Sequence, residues 1–134
     1  MSAALALQSA LVAALRADAP LTALLGGQAI HDGAPQGAGF PHVSLADLTS
    51  LDYGDVSGER QEHYATLLVW SRQGGRRQAL EILGAATAVL DGAPLALASH
   101  RLVNLAVERT EARRQADGAT WRGLMRLRAV TEAD

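Results

Sequence analysis

Residues 61–72 read Gln-Glu-His-Tyr-Ala-Thr-Leu-Leu-Val-Trp-Ser-Arg, and the reading of this stretch decides the fold. Alternation puts His63, Ala65, Leu67, Val69 and Ser71 on one face of a strand and Tyr64, Thr66, Leu68 and Trp70 on the other. Both faces are partly apolar, so the strand is expected at the centre of a sheet and covered on two sides. Gly74-Gly75 breaks it. Beyond the break, Ala79, Ile82, Leu83, Ala86, Val89 and Leu90 recur at helical spacing within residues 76–91, with Arg77, Gln78 and Glu81 off the stripe. Asp91-Gly92-Ala93-Pro94 stops that helix.

Working outward, the last third reads as a long β-hairpin. Residues 101–112 alternate, with Val103, Leu105 and Val107 on one side and Asn104 and Glu108 on the other. In residues 120–130, Trp121, Met125 and Leu127 oppose Arg122, Arg126 and Arg128. Asp117-Gly118 between them is a favoured hairpin dipeptide. Toward the N-terminus, Leu5, Val12 and Leu15 fall near one helical face, with Leu7 and Leu11 beside them. Ser2 suits the N-cap and Asp18-Ala19-Pro20 the stop. Residues 21–25 read as one more turn, ended by Gly26-Gly27. Ile30 closes a short strand, residues 31–41 are a Gly/Pro-rich loop, and residues 42–45 return to a strand. Residues 47–60 are polar and aperiodic and read as a long excursion that orders against a partner. The fold class is therefore α+β: a mostly antiparallel sheet with a long C-terminal hairpin, packed against two main helices.

Length and composition bound the rest. A chain of 134 residues with 49% apolar and 19% charged side chains is expected to form one globular domain over residues 1–134. Without cysteine there is no disulfide, thiolate zinc site or cysteine nucleophile. A net charge of −2 argues against a generic binder of nucleic acid or anionic membranes. Gln8, Arg16 and Asp18 interrupt the apolar N-terminus, which therefore does not read as a signal peptide. All twelve basic residues are arginine, which suits forked contacts at protein interfaces but also follows from coding bias.

The search for chemistry excludes more than it finds. Gly33, Gly37 and Gly39 lack the Gly-Lys-Ser/Thr ending of a phosphate loop and precede Phe40-Pro41 rather than a helix. His31, His42, His63 and His100 show no tight metal-ligand spacing. No Gly-x-Ser-x-Gly elbow supports a hydrolase. The acids Asp47, Asp52, Asp55, Glu59 and Glu62 lack a calcium-loop register and read as a solvated acidic loop. No catalytic residue, metal ligand or cofactor is assigned. Charge is more informative. Residues 101–128 carry seven arginines against three acids, a net of +4, whereas residues 1–100 carry five arginines against nine acids, a net of −4. Opposite signs on one chain suit head-to-tail association. The plainer reading is an exposed hairpin face kept polar by its arginines.

The ordered pattern resembles the tail terminator, or tail-completion, family of siphophages and gene transfer agents. The residues that carry the likeness are the opening helix at 7–21, Ile30-His31-Asp32-Gly33 followed by Phe40-Pro41-His42-Val43, the strand His63 to Ser71, the helix at 75–90, and the hairpin closing on Trp121-Arg122-Gly123-Leu124-Met125-Arg126-Leu127-Arg128. Size and Ala/Arg-rich composition are most similar to the gene transfer agent branch. The resemblance implies a non-enzymatic virion protein. It would form a hexameric ring on the finished tail tube, stop polymerisation and join the tail to the head-side connector.

The implied partners are copies of itself, the tail tube protein and the head-side stopper or connector. DNA would pass the lumen only transiently, and no membrane is involved. The implied location is the head–tail junction of a phage or gene transfer agent particle assembled in the bacterial cytoplasm. Arg122, Arg126 and Arg128 are candidates for subunit or tube contacts, with Asp47, Asp52, Asp55 and Glu59 as their acidic counterparts and residues 47–60 as a docking loop. Alternatively, the hairpin arginines face the lumen and touch DNA phosphates. The alternative function is a head-completion stopper or adaptor of the same particle. A small enzyme or ligand-binding domain would need a pocket with convergent polar groups, and no constellation in the sequence supplies one.

Overall fold

The computed structural model describes residues 1–33, 35–52 and 59–134. Three helices and five strands follow in the order α1 (Ala3–Ala17), α2 (Ala19–Leu25), β1 (Ile30–His31), β2 (His42–Asp52), β3 (Arg60–Ser71), α3 (Gly75–Leu90), β4 (His100–Arg114) and β5 (Trp121–Ala133). The sheet order is β1-β2-β3-β5-β4. Every pairing is antiparallel except β1 with β2. The expected α+β class and C-terminal hairpin are present.

Local chemistry sets the element ends. Ser2 Oγ accepts the Leu5 amide at 3.1 Å and starts α1. Asp18 closes α1, and its carboxylate then accepts the Leu21 amide at 3.0 Å to open α2, with Pro20 in the first turn. Gly26 ends α2 in the left-handed region at φ 75°, where a side chain would be strained. The buried stripe of α1 is Ala3, Leu7, Leu11 and Leu15, not the expected face that included Leu5, which is 47% exposed. An i, i+4 series through Leu7 points at the sheet, and Leu5 lies well off it.

The helices cover one face of the sheet. Val43 and Leu45 of β2, Ala65, Leu67 and Val69 of β3, and Met125, Leu127 and Ala129 of β5 join Leu7, Leu11, Leu15, Ile82, Leu83, Ala86 and Leu90 in one core. His63 is fully buried on this face. Its Nδ1 and Nε2 lie 2.7 Å from Ser50 Oγ and 2.9 Å from Thr131 Oγ1, which ties β2, β3 and β5 together through side chains. Burial lowers its pKa, with a smaller contribution from His100, so the ring is held neutral.

Three expectations require correction. First, β3 is central but not covered on both sides: His63, Ala65, Leu67, Val69 and Ser71 are buried, whereas Tyr64, Thr66, Leu68 and Trp70 are only half-buried on an open face. Second, β2 does not end at Leu45. A bulge at Ala46 shifts the register, after which Leu48 pairs Ala65 and Asp52 pairs Gln61. That one extra residue breaks the period-two pattern and made residues 47–52 read as aperiodic. The 47–60 excursion therefore shrinks: 47–52 belong to β2, Arg60 opens β3, and residues 53–58 lie outside the described set. Third, Val103 does not share a face with Leu105. Register shifts fall between Leu102 and Asn104 and between Val107 and Arg109, leaving Val103 45% exposed.

Candidate interaction surfaces

The open face of the sheet gathers the hairpin arginines. The register places Trp70 between His42 and Arg122, Thr66 between Asp47 and Arg126, and Tyr64 between Thr49 and Arg128. Arg122, Arg126 and Arg128 thus form one row along β5, as alternation required. Their surroundings differ. Arg128 forks onto Glu62, with Nε 2.9 Å from Oε2. The Arg126 guanidinium stacks over the Tyr64 ring at 4.8 Å. The Arg122 Nε–H is buried without an acceptor among the described residues.

Of the acidic counterparts, Asp47 and Asp52 stand apart from that row. Asp47 is exposed on the open face, separated from Arg126 by Thr66. Asp52 sits at the far end of β2 opposite Gln61. Glu59 immediately precedes β3, and its carbonyl accepts the Ala133 amide at 2.9 Å. Asp55 lies outside the described residues.

A groove of about 770 Å³ crosses the upper part of the open face. Residues of the 35–40 loop, His42, Ser44, Leu68, Trp70 and Arg72 line it. His42 donates from Nδ1 to the Gly39 carbonyl at 2.7 Å, and its ring lies 5.2 Å from Phe40 and 6.4 Å from Trp70. Burial pushes its pKa down, the Gly39 hydrogen bond opposes this, and His31 adds to the lowering. Among the described residues, no three His, Asp or Glu come together as a metal site. No single helix among the described residues is long and apolar enough to cross a membrane.

A second charged group was missed from sequence. Trp121 lies between two guanidinium groups, Arg76 at 4.6 Å and Arg114 at 5.3 Å. Nearby, Arg72 stacks on Phe40 at 4.1 Å and donates from Nε to Thr120 Oγ1 at 3.2 Å. Thr120 in turn donates to Asp117, whose carboxylate also accepts the Ala119 and Thr120 amides and is held down at about pKa 2. The available signal was that arginines stand in the β3–α3 turn and in the strand ends that flank the β4–β5 turn, and an up-down strand order brings those turns to one end.

The sheet also leaves two edges without an outer strand among the described residues. β1 covers only Val43 and Ser44 of β2, so the outer edge beyond them is open and carries Asp47 and Asp52. The outer side of β4 is met only in its middle by the turn after α3, where the Gly92 amide donates to the Leu105 carbonyl at 2.9 Å and Asp91 Oδ1 accepts the Val107 amide at 3.0 Å; the strand carries Arg101, Arg109, Arg113 and Arg114 against Glu108 and Glu111. One helix-covered face, one open charged face and two edges of opposite sign make a subunit whose distinctive chemistry lies on its outer surfaces.

The chain belongs to the tail completion protein gp17 family, which matches residues 9–132. It is similar to a chain in the virion of a native gene transfer agent particle, with 34% identity, a TM-score of 0.88, and coverage of 99% of this chain and 100% of that one. The bacteriophage SPP1 gp17 structure shares the fold at 21% identity, with a TM-score of 0.62 and coverage of 95% and 89%. No curated protein matches the chain.

Proposed function

We propose that this protein is one tail-completion domain, residues 1–134, that closes into a hexameric ring on the finished tail tube. The ring stops further polymerisation and joins the tail to the head-side connector of a gene transfer agent or siphophage-like particle. The single observation that carries the reading is the family match over nearly the whole chain. Full-length similarity to a chain within a gene transfer agent virion supports its place in such a particle.

The two sheet edges, neither with an outer strand along most of its length, fit the ring. A heterologous contact joins two different patches and closes when its rotation is a whole fraction of a turn. Here the acidic outer edge of β2 and the basic outer edge of β4 lie on opposite sides of one sheet and run antiparallel. The role is geometric: one ring face matches the tube's end, the other does not, and the next tube subunit meets the wrong surface. Arg122, Arg126 and Arg128 are proposed at subunit or tube contacts, with Asp47, Asp52, Asp55 and Glu59 as candidate acidic counterparts. Within the particle the ring sits at the head–tail junction after assembly in the bacterial cytoplasm.

Native mass spectrometry tests this directly. Six copies of the 14.0 kDa chain give about 84 kDa, formed alone or on adding tube protein. Monomers at every concentration, with and without tube protein, would refute the ring. Retention of purified connector but not tube protein would favour a head-side stopper instead. Arg126→Glu, which spares the Arg128–Glu62 pair, should weaken assembly with the far-UV spectrum intact; unchanged assembly would remove the hairpin face from the interface.

A further inference from the structure

Among the described residues, six of the twelve arginines pair with carboxylates. Arg60 and Arg101 meet Glu132, Arg128 meets Glu62, Arg77 meets Glu81, and Arg109 and Arg113 meet Glu111. The other six form no ion pair with a carboxylate among the described residues: Arg16 donates to the Ile30 carbonyl and Arg126 lies over Tyr64. The remaining four, Arg72, Arg76, Arg114 and Arg122, lie at one end of the strand axis, where β3 leaves the sheet, α3 begins, and the β4–β5 hairpin turns. The one aspartate in that turn, Asp117, is hydrogen-bonded by Ala119 and Thr120, and Arg72, which reaches it through Thr120, adds a weaker attraction without a direct ion pair.

This arrangement runs against the intrinsic preferences of the chain. Gathered like charges repel, and the first turn of a helix favours acids over bases. α3 nevertheless opens on Arg76 and Arg77, with no acid in its first turn and no side-chain cap at Gly74. Three of the four guanidinium groups lie over aromatic rings, Arg72 over Phe40 at 4.1 Å and Arg76 and Arg114 over Trp121 at 4.6 and 5.3 Å. Stacking fixes the plane of a guanidinium while leaving its edge N–H groups open to a planar acceptor. The fourth, Arg122, keeps a buried donor without an acceptor. Preorganised arginines around a tryptophan are the composition of an interface hot spot.

We infer that this end of the sheet is a docking surface for a carboxylate-rich protein, with Arg72, Arg76, Arg114 and Arg122 as the groups that receive its carboxylates. The inference goes beyond the ring: it assigns one end of the subunit to an acidic partner whatever the number of copies. A protein partner fits better than nucleic acid because the chain as a whole is net acidic and the patch is built around Trp121.

The test uses the full-length chain and fluorescein-labelled poly-L-glutamate at low ionic strength, read by anisotropy. Arg76→Gln with Arg114→Gln should weaken binding about tenfold or more, whereas Arg60→Gln with Arg101→Gln, at the opposite end, should leave it within about twofold. Arg72→Gln with Arg122→Gln is the second variant should the first fail to fold. Equal binding by the wild type and the folded variant overturns the inference. So does tighter binding of duplex DNA than poly-L-glutamate, lost in the same variant, which makes the patch a phosphate surface. Loss of the oligomer by Arg76→Gln with Arg114→Gln in native mass spectrometry overturns it too, because the patch then lies between copies. A wild-type chain that binds poly-L-glutamate through this patch yet never forms a ring leaves the inference standing and removes only the ring.

Discussion

Gly123→Ala is predicted to destabilise the protein, although the same change at Gly84 should stabilise it. Gly123 lies on β5 opposite Val69 and beneath Leu83 of α3. A Cβ there would sit 3.0 Å from Leu83 Cδ1, 3.1 Å from Val69 Cβ and 3.2 Å from Leu83 Cγ. Ordinary carbon contacts begin near 3.4 Å, so about 0.4 Å must be relieved. Val69 Cβ is fixed to the backbone of a central strand, so the movement falls on Leu83, itself only 3% exposed. Overpacking of this kind costs about 1–3 kcal/mol. Restricting the unfolded chain returns about 0.4–1 kcal/mol. The net expectation is a loss of about 1–2 kcal/mol, or a melting temperature lower by roughly 3–10 °C for a chain of this size.

Gly84 occupies the exposed side of α3, with nothing within 4 Å of an added Cβ. There the helix propensity of alanine acts alone and adds about 0.5–1 kcal/mol. Urea titration followed by far-UV circular dichroism measures both as shifts of midpoint at unchanged slope. A Gly123→Ala midpoint at or above wild type would refute the seating of α3 on β5. A lower midpoint for Gly84→Ala would refute the exposure of that helix face.

Stability should fall on mild acidification. Burial lowers the pKa of both His63 and His42. The unfolded chain therefore takes up protons first, near pH 6.5, and the stabilisation is full above that value and lost as pH falls below it. Urea midpoints at about pH 7.5 and 5.5 should differ in that direction, and His63→Leu should flatten the slope. Thr131→Val removes the partner of His63 Nε2 and should cost about 1–3 kcal/mol by leaving a buried ring nitrogen unsatisfied, again read in urea. A double-mutant cycle on Arg128 and Glu62, whose side chains are 26% and 19% exposed, should give a coupling of about 0.5–1 kcal/mol that shrinks with added salt.

Elements with an uninterrupted period were legible from sequence. β3, α3 and β5 each repeat one spacing from end to end, and the buried sets followed directly. β2 and β4 were not, because bulges at Ala46, Val103 and Glu108 move the alternation by one residue without any Gly or Pro to mark the place. The open second face of β3 was hidden for a different reason: Leu68 and Trp70 are apolar enough to suggest a cover that no helix supplies. Of the candidate residues, the row Arg122, Arg126 and Arg128 follows from period-two spacing. The Arg76–Trp121–Arg114 stack does not, since it joins two turns that are distant in sequence.

The outer side of β4, tied down only at Leu105 and Val107, is a sheet margin that must be kept from unlimited pairing. A long strand whose edge amides lack a partner strand is a template for runaway seams, and a flat one tends to zip onto its own kind into fibres. Two bulges interrupt this ladder, and Arg101, Arg109, Arg113 and Arg114 populate it. The margin therefore admits a neighbour through side chains while frustrating endless main-chain zippering. Those two misplaced residues give the margin its restraint against open-ended growth.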